Sequence, residues 1–181
     1  MALEHAILVS LLEHPASGYD LARRFDRSIG RFWTATHQQI YRVLGRMESD
    51  GRLAVQPVEQ SGRPDKKIYA VAEPGRAELS AWLREPVQPE SVRHEMAVRI
   101  RAAAFDDPGA LIPEVERHRA AHAELLDTYL SGEQRDFPDL EALDVQQQLQ
   151  HVVLRGGIEF ERMTIAWLDD VLATLHRLRA G

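Results

Sequence analysis

Residues 18–25 read Gly18-Tyr19-Asp20-Leu21-Ala22-Arg23-Arg24-Phe25, and residues 32–44 read Phe32-Trp33-Thr34-Ala35-Thr36-His37-Gln38-Gln39-Ile40-Tyr41-Arg42-Val43-Leu44. A basic turn, Gly62-Arg63-Pro64-Asp65-Lys66-Lys67, follows and leads into Ile68-Tyr69. The first stretch puts Leu21, Ala22 and Phe25 on one helical face and turns Arg23, Arg24 and Arg27 outward, with Ser17 as its cap. In the second, Thr36 and Gln39 have the spacing of a capping box: the hydroxyl accepts from the backbone ahead and the side-chain amide reaches back. The helix they open buries Ile40, Val43, Leu44 and Met47. It leaves His37, Gln38, Tyr41, Arg42, Gly45 and Arg46 on its other side.

Working outward, Leu3, Ile7 and Leu11, with Leu8 and Leu12, predict a helix over the first dozen residues, stopped by the His14-Pro15-Ala16-Ser17-Gly18 run. Gly51 ends the third helix. Residues 53–59 and 66–72 then alternate well enough to read as two antiparallel strands joined by the basic turn. Pro74 opens a fourth helix through Leu79, Trp82 and Leu83. Two helices, a polar-faced third and a hairpin with a cationic tip make a winged helix-turn-helix. Pro86-Val87-Gln88-Pro89 is a stiff boundary. Beyond it the pattern is helical throughout: about 92–105, then from Asp107-Pro108 to about Leu130, a loop over 131–138, and a long last helix over about 140–178. The Gly156-Gly157 pair inside that helix predicts a bend or a close backbone approach. The expected fold is mainly α. A winged helix-turn-helix of three to four helices and a two-stranded wing occupies 1–85, a linker 86–91, and an all-α dimerisation domain 92–181.

The net charge of −6 is unevenly placed. Residues 1–85 hold 12 Lys+Arg against 11 Asp+Glu, whereas 86–181 hold 10 against 17. Positive charge therefore gathers near the third helix and the turn, and the acidic half repels phosphate. With no cysteine, disulfides and thiolate metal sites are excluded, which fits a reducing cytoplasm. The amino terminus lacks a basic leader, and no stretch approaches the roughly 18 uninterrupted apolar residues of a membrane span, so the expected location is cytoplasmic, on the nucleoid when bound to DNA.

Gln and Arg are the side chains that pair bidentately with adenine and guanine edges. Gln38, Gln39 and Arg42 lie in the first two turns of the third helix, where helix-turn-helix proteins meet bases. His37, Tyr41 and Arg46 share that face. Thr36 and the first backbone amides suit a phosphate, and Arg63, Lys66 and Lys67 on the wing can reach an adjacent groove or backbone. These ten residues are the expected contacts to double-stranded DNA. The long last helix carries more apolar surface than one antiparallel neighbour hides, which predicts a homodimer.

The first 85 residues resemble the PadR family of bacterial transcriptional regulators. The matching pieces are Ser17-Gly18-Tyr19-Asp20-Leu21, Phe32-Trp33, Gln39-Ile40-Tyr41-Arg42-Val43-Leu44, Met47-Glu48-Ser49-Asp50-Gly51, Gly62-Arg63-Pro64 with Lys67-Ile68-Tyr69, and Gly75-Arg76 with Leu79 and Trp82-Leu83. More loosely, Arg93-His94-Glu95, the block 154–158 and Trp167-Leu168 are similar to the helical region of the longer, virulence-activator-like members. The resemblance implies a homodimeric repressor or activator, with repression the expected sense, whose carboxyl-terminal helices form the dimer. Gly45 departs from a longer polar residue, and Ala72 from a threonine that caps the fourth helix.

Other chemistries are poorly supported. His118 and His122 have i,i+4 spacing but no accompanying ligand pattern, so no metal or cofactor is expected. Asp169-Asp170 and Glu159 with Glu161 read as helix-surface charges, not an acid pair, and no phosphate loop or nucleophile elbow occurs; an enzyme is not expected. Phe32, Trp33, Trp82, Phe105 and Trp167 are candidates to line a pocket for a small aromatic or hydrophobic effector that biases the placement of two DNA-binding heads. The competing reading is a winged helix that binds protein and has lost sequence-specific DNA binding.

Overall fold

The structure is a computed structural model that describes residues 2–27, 35–58, 66–87 and 94–180. Phe32, Trp33, Arg63 and most of the expected linker lie outside the described residues. The chain divides into two compact units, Met1–Pro89 and Glu90–Gly181.

In the first unit, α1 (Ala2–Glu13), α2 (Gly18–Arg27), α3 (His37–Ser49) and α4 (Glu73–Trp82) enclose a small sheet of β1 (Ala16–Ser17), β2 (Leu53–Val58) and β3 (Lys66–Val71). The sheet is antiparallel in the order β1-β3-β2, with Ser17 opposite Ile68 and Val55 opposite Tyr69. Two strands are expected from sequence, and the sheet has three among the described residues. Pro15 bars a helical continuation and extends the residue before it, so Ala16-Ser17 falls onto the free edge of β3. Pro57 is tolerated because β2 is the opposite edge.

The core takes Ile7, Leu8 and Leu11 from α1, Leu21, Ala22 and Phe25 from α2, and Ile40, Val43, Leu44 and Met47 from α3. Those are the helical faces the sequence periodicity selects. Arg24, expected to face out, instead donates from Nη1 to the carbonyls of Ser10 (2.6 Å) and His14 (2.8 Å), satisfying the carboxyl end of α1. Ala72 stands at the amino-terminal cap of α4 and supplies no side-chain hydrogen bond, as its departure from the family pattern implies.

The second unit holds α5 (Glu95–Ala102), two 3-10 turns (Ala103–Phe105 and Pro108–Leu111), α6 (Ile112–Asp136) and α7 (Val145–Ala180). Helices α6 and α7 run antiparallel, since Arg119 meets Asp169, His122 meets Glu161 and Glu133 meets His151. Helix α6 continues through the stretch expected as a loop because Tyr129 and Gly132 are buried and Glu133 is tied to His151 at 2.8 Å. Helix α7 begins at Val145 rather than near 140. Asp144 Oδ1 accepts from Gln147 N (2.8 Å) while Gln147 Oε1 accepts from Asp144 N (3.0 Å), a reciprocal cap. Of the glycine pair, Gly157 is the close approach: a Cβ there would lie 3.1 Å from the Tyr129 ring, whereas one on Gly156 would meet nothing within 4 Å.

Glycines 75 and 45 give opposite expectations for stability. A Cβ on Gly75 would fall 2.6 Å from the Arg52 carbonyl oxygen, whereas one on Gly45 meets nothing within 4 Å. Gly75→Ala should lower stability by about 1–3 kcal/mol through forced backbone movement. Gly45→Ala should raise it by about 1 kcal/mol through helix propensity. Urea denaturation followed by circular dichroism measures both, and equal midpoints for the two variants would refute the packing described.

Candidate nucleic-acid interface

Helix α3 presents its outer face because the inner one is committed to the core. Thr36 caps it as the sequence predicts: its Oγ1 accepts from Gln39 N (3.2 Å) and Gln39 Oε1 accepts from Thr36 N (2.8 Å). The Gln39 carbonyl is thereby occupied, which leaves only its amide N–H groups for an external partner. His37, Gln38, Tyr41 and Arg42 are all exposed. Tyr41 leans on the start of α2, where a Cβ on Gly18 would lie 2.5 Å from its ring. Gln38 and Arg42 bond to no described residue, so their donors point to solvent from the first two turns of α3.

Three further cations of the expected set, Arg46, Lys66 and Lys67, are engaged within the protein. Arg46 Nη2 lies 2.5 Å from Glu4 Oε1 on α1. Lys66 Nζ lies 2.7 Å from Asp20 Oδ2 on α2, and Lys67 Nζ 2.8 Å from Glu48 Oε1 on α3. The Lys66 hydrogen bond first, then that from the Ser17 hydroxyl, hold the Asp20 carboxyl below the usual carboxylate range. The hydrogen bond to Glu48 raises Lys67 above its ordinary value. Sequence reasoning picked the lysines and missed both carboxylates. Asp20 and Glu48 are sequence-distant from the wing, and only the fold brings them to it.

Behind α3 sits an ionic hub. Arg52 donates to both Glu78 oxygens (3.1 Å each) and to Asp50 Oδ2 (2.8 Å), and its Nη2 lies 3.4 Å from Glu4. Burial alone would raise the Glu4 carboxyl, but Arg46 and Arg52 outweigh it and hold the group below its ordinary value. His5 stacks on Trp82 with ring centroids 4.3 Å apart.

Three residues of the expected effector set, Trp82, Phe105 and Trp167, are among the described residues. Trp82 belongs to the first unit and is stacked on His5; Phe105, in the second, is 92% exposed. Trp167 does line a cavity of about 310 Å³ in the second unit, with Ile100, Val171, Leu175 and Leu178 as apolar walls and Asp170 and Thr174 as polar ones. His122 is bonded to Glu161 at 2.5 Å, and His118 lies 3.3 Å from Glu114. Glu161, expected among surface charges, is 4% exposed, because its place on α7 faces α6.

Three comparisons place the chain among known proteins. Residues 7–81 match the family described as "Transcriptional regulator PadR-like family", and residues 92–176 match "Virulence activator alpha C-term". The chain is 50% identical to the "Probable transcriptional regulator Rv1176c" of Mycobacterium tuberculosis, over 99% of this chain and all of that one. It is 28% identical to the "Negative transcriptional regulator PadR" of Bacillus subtilis, over 97% of this chain and 98% of that one. The fold matches that of Bacillus subtilis PadR solved with operator DNA (TM-score 0.84, 24% identity, 97% of this chain and 99% of that chain). It also matches the Vibrio cholerae virulence activator AphA (TM-score 0.81, 30% identity, again 97% and 99%). With the winged-helix fold, both halves of the family pattern and a half-identical relative in agreement, the chain belongs to the PadR-like family of transcriptional regulators.

Proposed function

We propose that this regulator is a homodimer that represses by reading a two-fold symmetric operator through α3. The observation that carries the reading is the outer face of α3, where exposed Gln38 and Arg42 have no partner among the described residues while the cations around them do. Thr36, with the first amides of the helix, serves a phosphate. His37 and Tyr41 flank the readers, and Gln39 contributes its N–H groups alone. That a relative was solved with operator DNA, and is named a negative regulator, supports both DNA as partner and repression as sense. In a dimer, two α3 helices meet major grooves about 34 Å apart or a multiple of it.

Support for the dimer comes from α7. Leu149, Val152, Phe160 and Met163 follow one another at helical spacing and are each more than half exposed. Together they form a stripe too long and too apolar for a solvated helix face. An effector-responsive state is supported by the cavity at Trp167 and by a structural relative solved with p-coumaric acid. The Asp170 carboxylate in the cavity wall favours a neutral or cationic aromatic ring over an acid.

Genomic fragments bound by the protein, sequenced after selection, should share an inverted repeat. Arg42→Ala should weaken binding to the best of them by about tenfold or more, at a cost of roughly 1–3 kcal/mol per lost bidentate contact. Absence of binding even to random duplex at low salt would instead favour a protein-interaction module. Sedimentation equilibrium should give twice the chain mass, and Phe160→Glu with Met163→Glu should reduce it to one; a wild-type monomer sinks the dimer. Titration of cationic, neutral and anionic aromatic amines and acids, followed through Trp167 fluorescence, should rank the anions last, and saturation by acids alone would refute the charge argument.

A further inference from the structure

Lys66 and Lys67 occupy the first two positions of β3. Consecutive side chains on a strand leave opposite faces of the sheet, so a phosphate backbone lying along one face of the wing meets at most one of them. The structure gives each lysine a carboxylate on a different helix. Lys66 goes to Asp20 in the first turn of α2 (2.7 Å), and Lys67 to Glu48 near the end of α3 (2.8 Å).

Neither carboxylate is a loose surface acid. Asp20 Oδ2 also accepts from Ser17 Oγ (2.7 Å), and Ser17 Oγ accepts in turn from Asp20 N (3.1 Å). Ser17 is buried and belongs to β1, where it pairs with Ile68 of the wing strand. The Asp20 carboxylate is therefore fixed to the same strand that carries Lys66. Glu48 stands about 15 Å along the α3 axis from Gln38, at 1.5 Å per residue. Lys67 is thus drawn toward the end of α3 remote from its exposed base-reading residues.

We propose that Lys66 and Lys67 are positioning residues. They lock the wing strand to α2 and α3, and so set the angle of the wing against the DNA-reading helix; they do not add phosphate contacts. The inference rests on the DNA-binding reading above. It reverses the role that cationic wing residues have when the sequence is read alone.

Exchanging the charges of one pair separates the two roles. In fluorescence anisotropy on the selected genomic duplex, Lys67→Glu alone should weaken binding by about tenfold, since two carboxylates then face each other beside the DNA. Glu48→Lys together with Lys67→Glu restores the pair in reverse and should return affinity to within about threefold of wild type. A phosphate-gripping lysine would not be rescued, so a reversed pair with wild-type circular dichroism and weak binding overturns the proposal. Lys66→Met provides a second measure if the reversed pair does not fold. Its salt slope should equal that of wild type, and a slope lower by about 0.9, one released counterion, would assign Lys66 a phosphate and overturn the proposal. If wild-type protein binds no duplex, the DNA reading falls and the inference with it; wild-type binding with no rescue defeats the inference alone.

Discussion

The burial of Ile40, Val43, Leu44 and Met47 is the constraint on which the first unit depends. These four side chains form one face of α3 and pack against α1 and α2. Their removal from water contributes on the order of 1.5–3 kcal/mol each. Because a helix repeats every 3.6 residues, fixing that face also fixes the other. Gln38, Tyr41 and Arg42 are exposed by geometry, not by any interaction of their own. A helix free to rotate about its axis could not hold Gln38 and Arg42 at defined positions, so the apolar seam is a functional element as much as a structural one.

Around the seam, charge does the aligning. Glu4 on α1, Arg46 on α3, Arg52 after α3 and Glu78 on α4 form a partly buried chain of ion pairs. Burial works against the Arg52 cation, but hydrogen bonds to Glu78 and Asp50 more than offset it and raise its value. Such hubs add little net stability compared with apolar side chains of equal volume, yet they are costly to leave half-made. They therefore disfavour other helix registers. The wing pairs, Asp20 with Lys66 and Glu48 with Lys67, apply the same logic nearer the surface, where solvent screens each of them. Weak pairs of that kind define direction better than they hold weight.

The second unit solves a different problem. Two long antiparallel helices register on each other through Gly157 beneath Tyr129 and through the His122–Glu161 and His151–Glu133 pairs. Polar groups are thus placed along the seam of an otherwise apolar packing, where a slip of one turn would leave a buried carboxylate without its partner. What remains outside that packing is the apolar stripe of α7, which the proposed dimer buries.

Much of this was legible in the residues. The periodicity of 40–47 selected the inner face of α3, the Thr36–Gln39 spacing announced its cap, and the break at Gly62-Arg63-Pro64 separated two strands, because each is a local signal that backbone geometry enforces within a few residues. The family itself was readable from such pieces in series. The sequence was mute about the third strand, because two residues carry no periodicity and Ala16-Ser17 becomes a strand only when β3 offers an edge. It placed Glu161 and Arg24 among free surface charges, because the engagement of a charged group depends on a partner far along the chain, as Glu161 finds His122 and Arg24 the end of α1. By itself, then, the chain determined which helices and strands form and which faces are apolar. Tertiary structure alone decided which cations remain free, since an ion pair between residues 46 positions apart, as between Asp20 and Lys66, exists only after the backbone has brought them within reach.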